Sequence, residues 1–191
     1  MAAAIILLVV LVVLALWVVG AYNSLIGLKN QVANAWKQID VQLKRRHDLI
    51  PNLVNTVKGA MDFERSTLEA VIAARNKAVS ATGVAQTAKA EGELTQALGR
   101  LFALTEAYPD LKATGNVAQL QEELTSTENK IGFARQLYND VATQYNTRQA
   151  TFPTMLVAGL AKASPAELWQ ITDDTERAVA TVDLSTTKPT P

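Results

Sequence analysis

The sequence predicts an all-α protein in which an N-terminal transmembrane helix continues into an antiparallel bundle of long helices, of the four-helix type. Three observations carry that reading. Residues 2–22 hold no charged side chain. Beyond them, apolar residues recur at intervals of three and four instead of alternating, the spacing of helices packed side by side. Helix-breaking residues fall at only a few places, at Thr82-Gly83, Tyr108-Pro109, Gly115-Asn116 and Phe152-Pro153, and so divide the chain into long segments.

The charge-free stretch from Ala2 to Tyr22 would rise about 32 Å as a helix, against the ~30 Å hydrocarbon core of a bilayer. A helix without a polar face needs complete burial in a soluble protein, which a chain start seldom receives. Residues 1–22 are therefore expected to be a retained anchor, with Trp17 and Tyr22 at the membrane interface. A cleaved signal peptide is the competing reading, since Val19-Gly20-Ala21 satisfies a small-residue cleavage rule. Against it, the first lysine is Lys29, so no basic region precedes the apolar run, and the run is longer than is usual for such peptides. Lys29, Lys37, Lys44, Arg45 and Arg46 all follow the span, which leans towards a cytoplasmic C-terminal domain, by a rule that weakens for domains this long.

Residues 23–184 are expected to form the bundle and 185–191, polar and rich in proline, a disordered tail. The first seam runs Val32, Trp36, Ile39, Leu43, Arg46, Ile50, Leu53, Val57, and continues less cleanly through Ala60, Glu64 and Val71. Pro51 interrupts it without changing its register, so a kinked continuous helix is preferred to a new helix capped by Asp48. After Thr82-Gly83 a second helix presents Leu94, Leu98, Leu101 and Leu104 or Thr105. Asn116 can cap a third, whose seam is Val117, Leu120, Leu124, Thr127, Ile131, Ala134, Tyr138, Val141, Tyr145, Arg148. Ser164-Pro165-Ala166-Glu167 carries a helix-start signature, and a short fourth helix with Leu168, Trp169 and Ile171 should follow.

Several blocks now in view resemble the LemA family of bacterial membrane-anchored proteins. They are Asn34-Ala35-Trp36 through Ile39-Asp40-Val41-Gln42-Leu43-Lys44-Arg45-Arg46, Asp48-Leu49-Ile50-Pro51-Asn52-Leu53-Val54, Val57-Lys58-Gly59, and Glu106-Ala107-Tyr108-Pro109-Asp110-Leu111-Lys112-Ala113. Further along come Glu128-Asn129-Lys130-Ile131, Ala134-Arg135, Tyr138-Asn139, Tyr145-Asn146 and Phe152-Pro153. They run in order from about residue 22 to 160. The resemblance implies a single N-terminal membrane helix and an all-α antiparallel bundle, and supplies no catalytic mechanism. Two departures are visible: His47 stands where the family usually has an aromatic residue, and the chain lacks a long low-complexity tail.

The chemistry of the chain is sparse. One His and no Cys leave no zinc ligand set, no calcium-loop spacing occurs, and neither a nucleophile elbow nor a glycine-rich phosphate loop is present. No cofactor, no metal and no catalytic residue is expected. The 18 basic and 18 acidic side chains cancel; residues 23–78 carry a net +4 and residues 79–191 a net −4, too mild a split for a nucleic-acid partner.

The polar residues of interest stand on or beside the apolar seams: Arg46, Glu64 and Arg148 in the core-facing register, Asp40 next to Ile39, and Glu128 within a family block. A charge in a packed seam is costly unless paired. Arg46 is therefore expected to meet a carboxylate, Glu128 or Asp40, in a bridge between helices; the alternative is that these side chains snorkel to the surface. His47 reads as a surface or boundary residue, with a proton switch as the sharper alternative. Tyr138-Asn139 and Tyr145-Asn146 repeat one dipeptide seven residues apart on one stripe, which reads as core packing. If the third helix is antiparallel to the first, Met155-Leu156-Val157 returns towards lipid or a neighbouring copy.

The function favoured by these features is a non-catalytic, membrane-anchored scaffold. It self-associates at the bacterial plasma membrane, with the lipid bilayer and further copies of itself as partners, and organises or shapes the membrane. An adaptor or sensor holding a peptide or another membrane protein in a groove between helices is the alternative. A hydrolase would require two carboxyl groups converging in a cleft.

Overall fold

The computed structural model describes residues 1–58, 64–108 and 115–170, and every regular element among them is helical. Helix α1 spans Ala2–Lys58, α2 Arg65–Ser80, α3 Val84–Thr105, α4 Gly115–Ala150 and the one-turn α5 Met155–Ala158. Helix α1 is unbroken from the charge-free stretch into the bundle, and Pro51 lies inside it. The expected positions Ala60 and Ile171 and the 185–191 tail lie outside the described residues.

Helices α1 and α4 form the longest pairing of the fold, and it is antiparallel: Arg46 meets Glu128, Trp36 meets Tyr138 edge to face, and Leu25 packs with Tyr145. Helices α2 and α3 form a hairpin against the far half of α1, linked at the surface by the Lys77–Glu93 ion pair. Gly83, at φ 78°, makes the turn between them in the left-handed region that glycine enters without a Cβ clash.

Two sequence expectations are corrected here. The first seam does not run on as one helix through Glu64 and Val71: α1 ends at Lys58, and α2, from Arg65, lies back against it. Val71 then packs back against Ile50, Leu53 and Val57. A three-four spacing does not distinguish a helix that continues from one that folds back on itself, since both present the same stripe. The second correction concerns residues 163–170, which are irregular and not a fourth helix.

The core is built in three apolar layers. Ile50, Leu53, Val57, Val71, Leu94, Leu101, Val117 and Leu124 fill the end far from the apolar span. Ile39, Leu43, Ile131, Ala134, Tyr138 and Trp169 fill the middle, and Leu25, Tyr145 and Ala161 close the end next to the span. The seam of α4 drifts relative to the expected one: Ala142 and Gln149 are buried where Val141 and Arg148 were expected, and Arg148 is exposed. A helix at 3.6 residues per turn rotates by about 20° per heptad against a strict three-four repeat, and over five heptads the buried stripe migrates by one residue.

Pro51 also explains a contact that spacing alone could not suggest. Lacking an N–H, it leaves the carbonyl of His47 without its intrahelical donor. Arg75 of α2 supplies the missing bond, its Nε donating to the His47 oxygen at 3.2 Å. We expect Arg75→Leu to cost about 1–3 kcal/mol, the penalty of an unpaired half-buried carbonyl. The same change should cost markedly less in a Pro51→Ala background, where the regained backbone N–H serves as the donor. A double-mutant cycle by urea denaturation measures this, and equal costs in the two backgrounds refute the link.

Candidate functional site

A layer of charge lies between the far and middle apolar layers. Arg46 of α1 is 4% exposed, and it reaches two helices at once. Its Nη1 lies 3.2 Å from Glu91 Oε2 of α3 and 3.0 Å from Glu128 Oε2 of α4, while Nη2 donates to Thr95 Oγ1 at 2.8 Å. The other oxygen of Glu91 accepts from or is shared with His47 Nε2 at 2.6 Å, and Thr95 Oγ1 donates back to the Glu91 carbonyl. Only guanidinium offers several donors in a fixed planar fork, which lets one side chain tie three helices. The arrangement sets the register of α1, α3 and α4 against sliding, because a shift of one turn (about 5.4 Å) would leave both charges buried and unpaired.

Of the residues singled out in the sequence, the structure brings Arg46 and Glu128 together. Asp40 is exposed on α1, away from Arg46, because it follows the inward-facing Ile39 by about 100° of helical rotation. Glu64 is not a seam residue of α1. It stands at the start of α2, half-buried, with no side-chain capping bond. Trp17 is half-buried and Tyr22 exposed at the top of the span. His47 is buried in the charge layer rather than at the surface, a correction that follows from the reach of Glu91.

Glu91, 3% exposed, is the principal residue the sequence reading missed. The signal existed: stepping back from Leu98 and Leu94 by the same spacing lands on Glu91 and then on Thr87, both buried.

Above this layer a cleft of about 580 Å³ opens between α3 and α4, lined by Arg46, Lys89, Glu91, Glu128, Arg135 and Trp169 among others. Glu91 and Glu128 thus converge in a cleft, as a carboxylate hydrolase would need. The Arg46 guanidinium stands between them, and both Glu91 oxygens are already engaged. Among the described residues no group of three or more His, Asp or Glu side chains is placed to hold a metal ion.

The second constellation is a strap, residues 163–170, laid along α4. Asn146 donates from Nδ2 to the Ala166 carbonyl at 2.8 Å and accepts the Ala166 N–H at 2.7 Å. Asn139 does the same for Trp169, at 2.9 and 2.8 Å, and Tyr138 donates its hydroxyl to the Glu167 carbonyl at 2.7 Å. The two spacings match: seven helical residues rise about 10.5 Å, and three extended residues cover about 10 Å. The repeated Tyr-Asn dipeptides are thus the rungs that hold the strap. They are also why Ser164-Pro165 starts no helix, since the backbone groups of residues 166, 167 and 169 are bonded to α4 instead. Trp169 closes the strap by packing on Trp36 (centroids 6.0 Å apart), under the guanidinium of Arg135 at 5.2 Å.

Burial, and secondarily the charge of Glu167, raises the Tyr138 hydroxyl above the ordinary value of 10.0. A phenol held neutral in the fold contributes its stability in full below the ordinary tyrosine range. That contribution is lost as pH climbs through the raised value. We expect the strap to loosen on the alkaline side of pH 10, seen as protease sensitivity of residues 163–170, and Tyr138→Phe to remove that alkaline step. A loosening that survives in Tyr138→Phe assigns it elsewhere.

The chain is similar to Protein LemA of Metamycoplasma hominis, 32% identical over 142 residues, covering 73% of this chain and 64% of that protein. It is also similar to Magnetosome protein MamQ 2 of Paramagnetospirillum magneticum, 24% identical over 175 residues, with 78% of this chain and 64% of that protein covered. A third relative is Magnetosome protein MamQ of Magnetospirillum gryphiswaldense, at 23% over 158 residues, with 69% and 58% covered. The chain thus spans about three-fifths of the length of these curated relatives. The LemA family model matches residues 35–184, from the inward-facing Ala35 of α1 past the strap, and on that match the chain belongs to the LemA family.

Proposed function

We propose that this protein is a non-catalytic scaffold, anchored in the bacterial plasma membrane by α1, that self-associates through the bundle and so organises the membrane around it. The single observation that carries the reading is the continuity of α1. It passes from a segment exposed on every face into the packed bundle without a break. Ala21 and Leu25 are already buried at the junction, where α4 and α5 pack on α1.

Self-association is supported by two unpartnered apolar side chains, Val41 of α1 and Phe133 of α4, both exposed. Val41 lies between Trp36 and Arg46, and Phe133 between Glu128 and Tyr138, so the antiparallel pairing puts them at one height on the bundle. The chain has no native Cys, so Phe133→Cys introduces a single thiol. Oxidation in intact membranes should trap a disulfide-linked pair, whereas recovery of monomers alone at native abundance counts against the reading. Domain sidedness follows the basic residues after the span and is proposed as cytoplasmic. Labelling of the same thiol by a membrane-impermeant reagent in sealed cells would reverse it.

The cleft between α3 and α4 favours a second reading, an adaptor that takes up a peptide or a segment of another membrane protein. Its lining sets Lys89 and Arg135 against Glu93 and Glu128 beside Trp169, which suits an extended chain carrying both charges and an apolar side chain. A stoichiometric heterologous partner recovered by Lys89→Cys photocross-linking would promote this reading over the first.

A further inference from the structure

We propose that the turn from Phe152 to Leu160 is seated in the headgroup layer of the same bilayer that holds α1, so that the bundle meets anionic lipid at two points and not one. This rests on the retained span proposed above. It concerns a different part of the chain.

The observations begin with exposure. Phe152, Met155, Leu156 and Leu160 are between 51% and 76% exposed, crowded into nine residues. Val157, among them in sequence, and Ala161, just after them, are buried, so the one-turn helix α5 presents one face to the bundle and turns its larger apolar side chains outward. Such a cluster is unusual on a surface that meets only water.

Position comes next. Helix α4 runs back along α1 until Thr151 shares a shallow cleft with Ser24. The residues after Thr151 therefore lie level with the last residues of the charge-free stretch. Helix α5 packs on both α1 and α4 there, in the layer that holds Leu25, Tyr145 and Ala161. The apolar tip thus stands at the end of the bundle from which the apolar span emerges.

Charge supplies the third argument, independent of the other two. None of the 18 Asp and Glu residues falls in 1–39 or in 141–166, the two segments that bring described residues to this end of the molecule. The charges that do occur near the tip are Lys29, Arg148 and Lys162, all exposed. Seven residues of helix place Lys29 about 10 Å beyond Tyr22, within reach of a negative leaflet surface at the ~10 Å screening length of dilute salt. A face that presents outward apolar side chains and cations, and no carboxylate among the described residues, fits an anionic headgroup layer. A second copy of the chain in the same membrane would present the same cations and repel them.

The absence of native Cys permits a direct test on the full-length chain. Leu156→Cys, Phe133→Cys and Val13→Cys are each labelled with an environment-sensitive fluorophore and reconstituted into vesicles of equal parts phosphatidylcholine and phosphatidylglycerol. Nitroxide phospholipids then quench from either the headgroup or the deep acyl level. We expect the Leu156 probe to be blue-shifted and quenched several-fold more by the headgroup nitroxide than the Phe133 probe, and the Val13 probe to be quenched by the deep one. Omitting phosphatidylglycerol should weaken the Leu156 quenching, and quenching that is indifferent to it overturns the anionic assignment. A Leu156 probe that behaves like Phe133 while Val13 is quenched overturns the tip contact and leaves the span standing. If Val13 too is unquenched, both fall. A Leu156 probe shielded from aqueous iodide yet untouched by either nitroxide, whose shielding is lost on dilution into excess lipid, overturns the proposal in favour of a second copy.

Discussion

Replacing Arg46 by leucine should lower the unfolding free energy by about 3–5 kcal/mol, the cost of stranding a buried charge by removing its partner. The stranded group is Glu91, which keeps only His47, while Glu128, whose side chain is 40% exposed, can turn to water. The asymmetry of buried ion pairs gives a second expectation: Arg46→Leu with Glu91→Leu recovers most of the loss, because an apolar pair of similar volume fits a packed layer. Arg46→Lys should fall between, since one ammonium does not span three acceptors in a plane. Urea titration in detergent micelles, followed by helical circular dichroism, measures all three. A single-mutant loss below about 1 kcal/mol would place the pair among ordinary surface bridges and remove it as the device that fixes register.

The second large effect is expected at the strap. Trp169→Ala removes an indole that is almost fully buried against Trp36 and beneath Arg135, and large aromatic truncations of this kind cost about 3–5 kcal/mol. The loss should appear first as release of the strap. Residues 163–170 are held by side chains of α4 and not by a ladder of their own, so protease should cut there before the helical signal falls. Asn139→Ala with Asn146→Ala removes the four asparagine hydrogen bonds to the strap, at about 1 kcal/mol each, and should give the same cleavage pattern with the indole still present. Strap cleavage no faster than in the parent chain, with global stability unchanged, would show that Trp169 contributes little.

These two sites differ in how far the sequence reveals them. Arg46 is legible because a charge in the stripe between Leu43 and Ile50 has to find a partner, and Glu128 is one of the two carboxylates expected for it. Glu91 is equally available from the spacing of Leu94 and Leu98, and escapes a seam that begins at its first leucine. The strap is hidden for a different reason. Ser164-Pro165-Ala166-Glu167 is a local signal, whereas the asparagines that override it are distant in the chain and become a matched pair only once α4 is known to run beside residues 166 and 169. The reversal after Lys58 is hidden because stripe spacing carries no information about direction. The drift from Arg148 to Gln149 is hidden because a small angular error per heptad accumulates only in a helix as long as α4.

The jointless passage of α1 has a consequence for how two such molecules would find each other. With no hinge between span and domain, every copy carries Val41 and Phe133 at one altitude, roughly 30 Å above Tyr22 at 1.5 Å per helical residue. Molecules confined to a plane and held upright then have a single angle left to match, their bearing about the membrane normal. If the chain self-associates in the membrane as proposed, the search that a free protein conducts in six dimensions contracts to drift and spin.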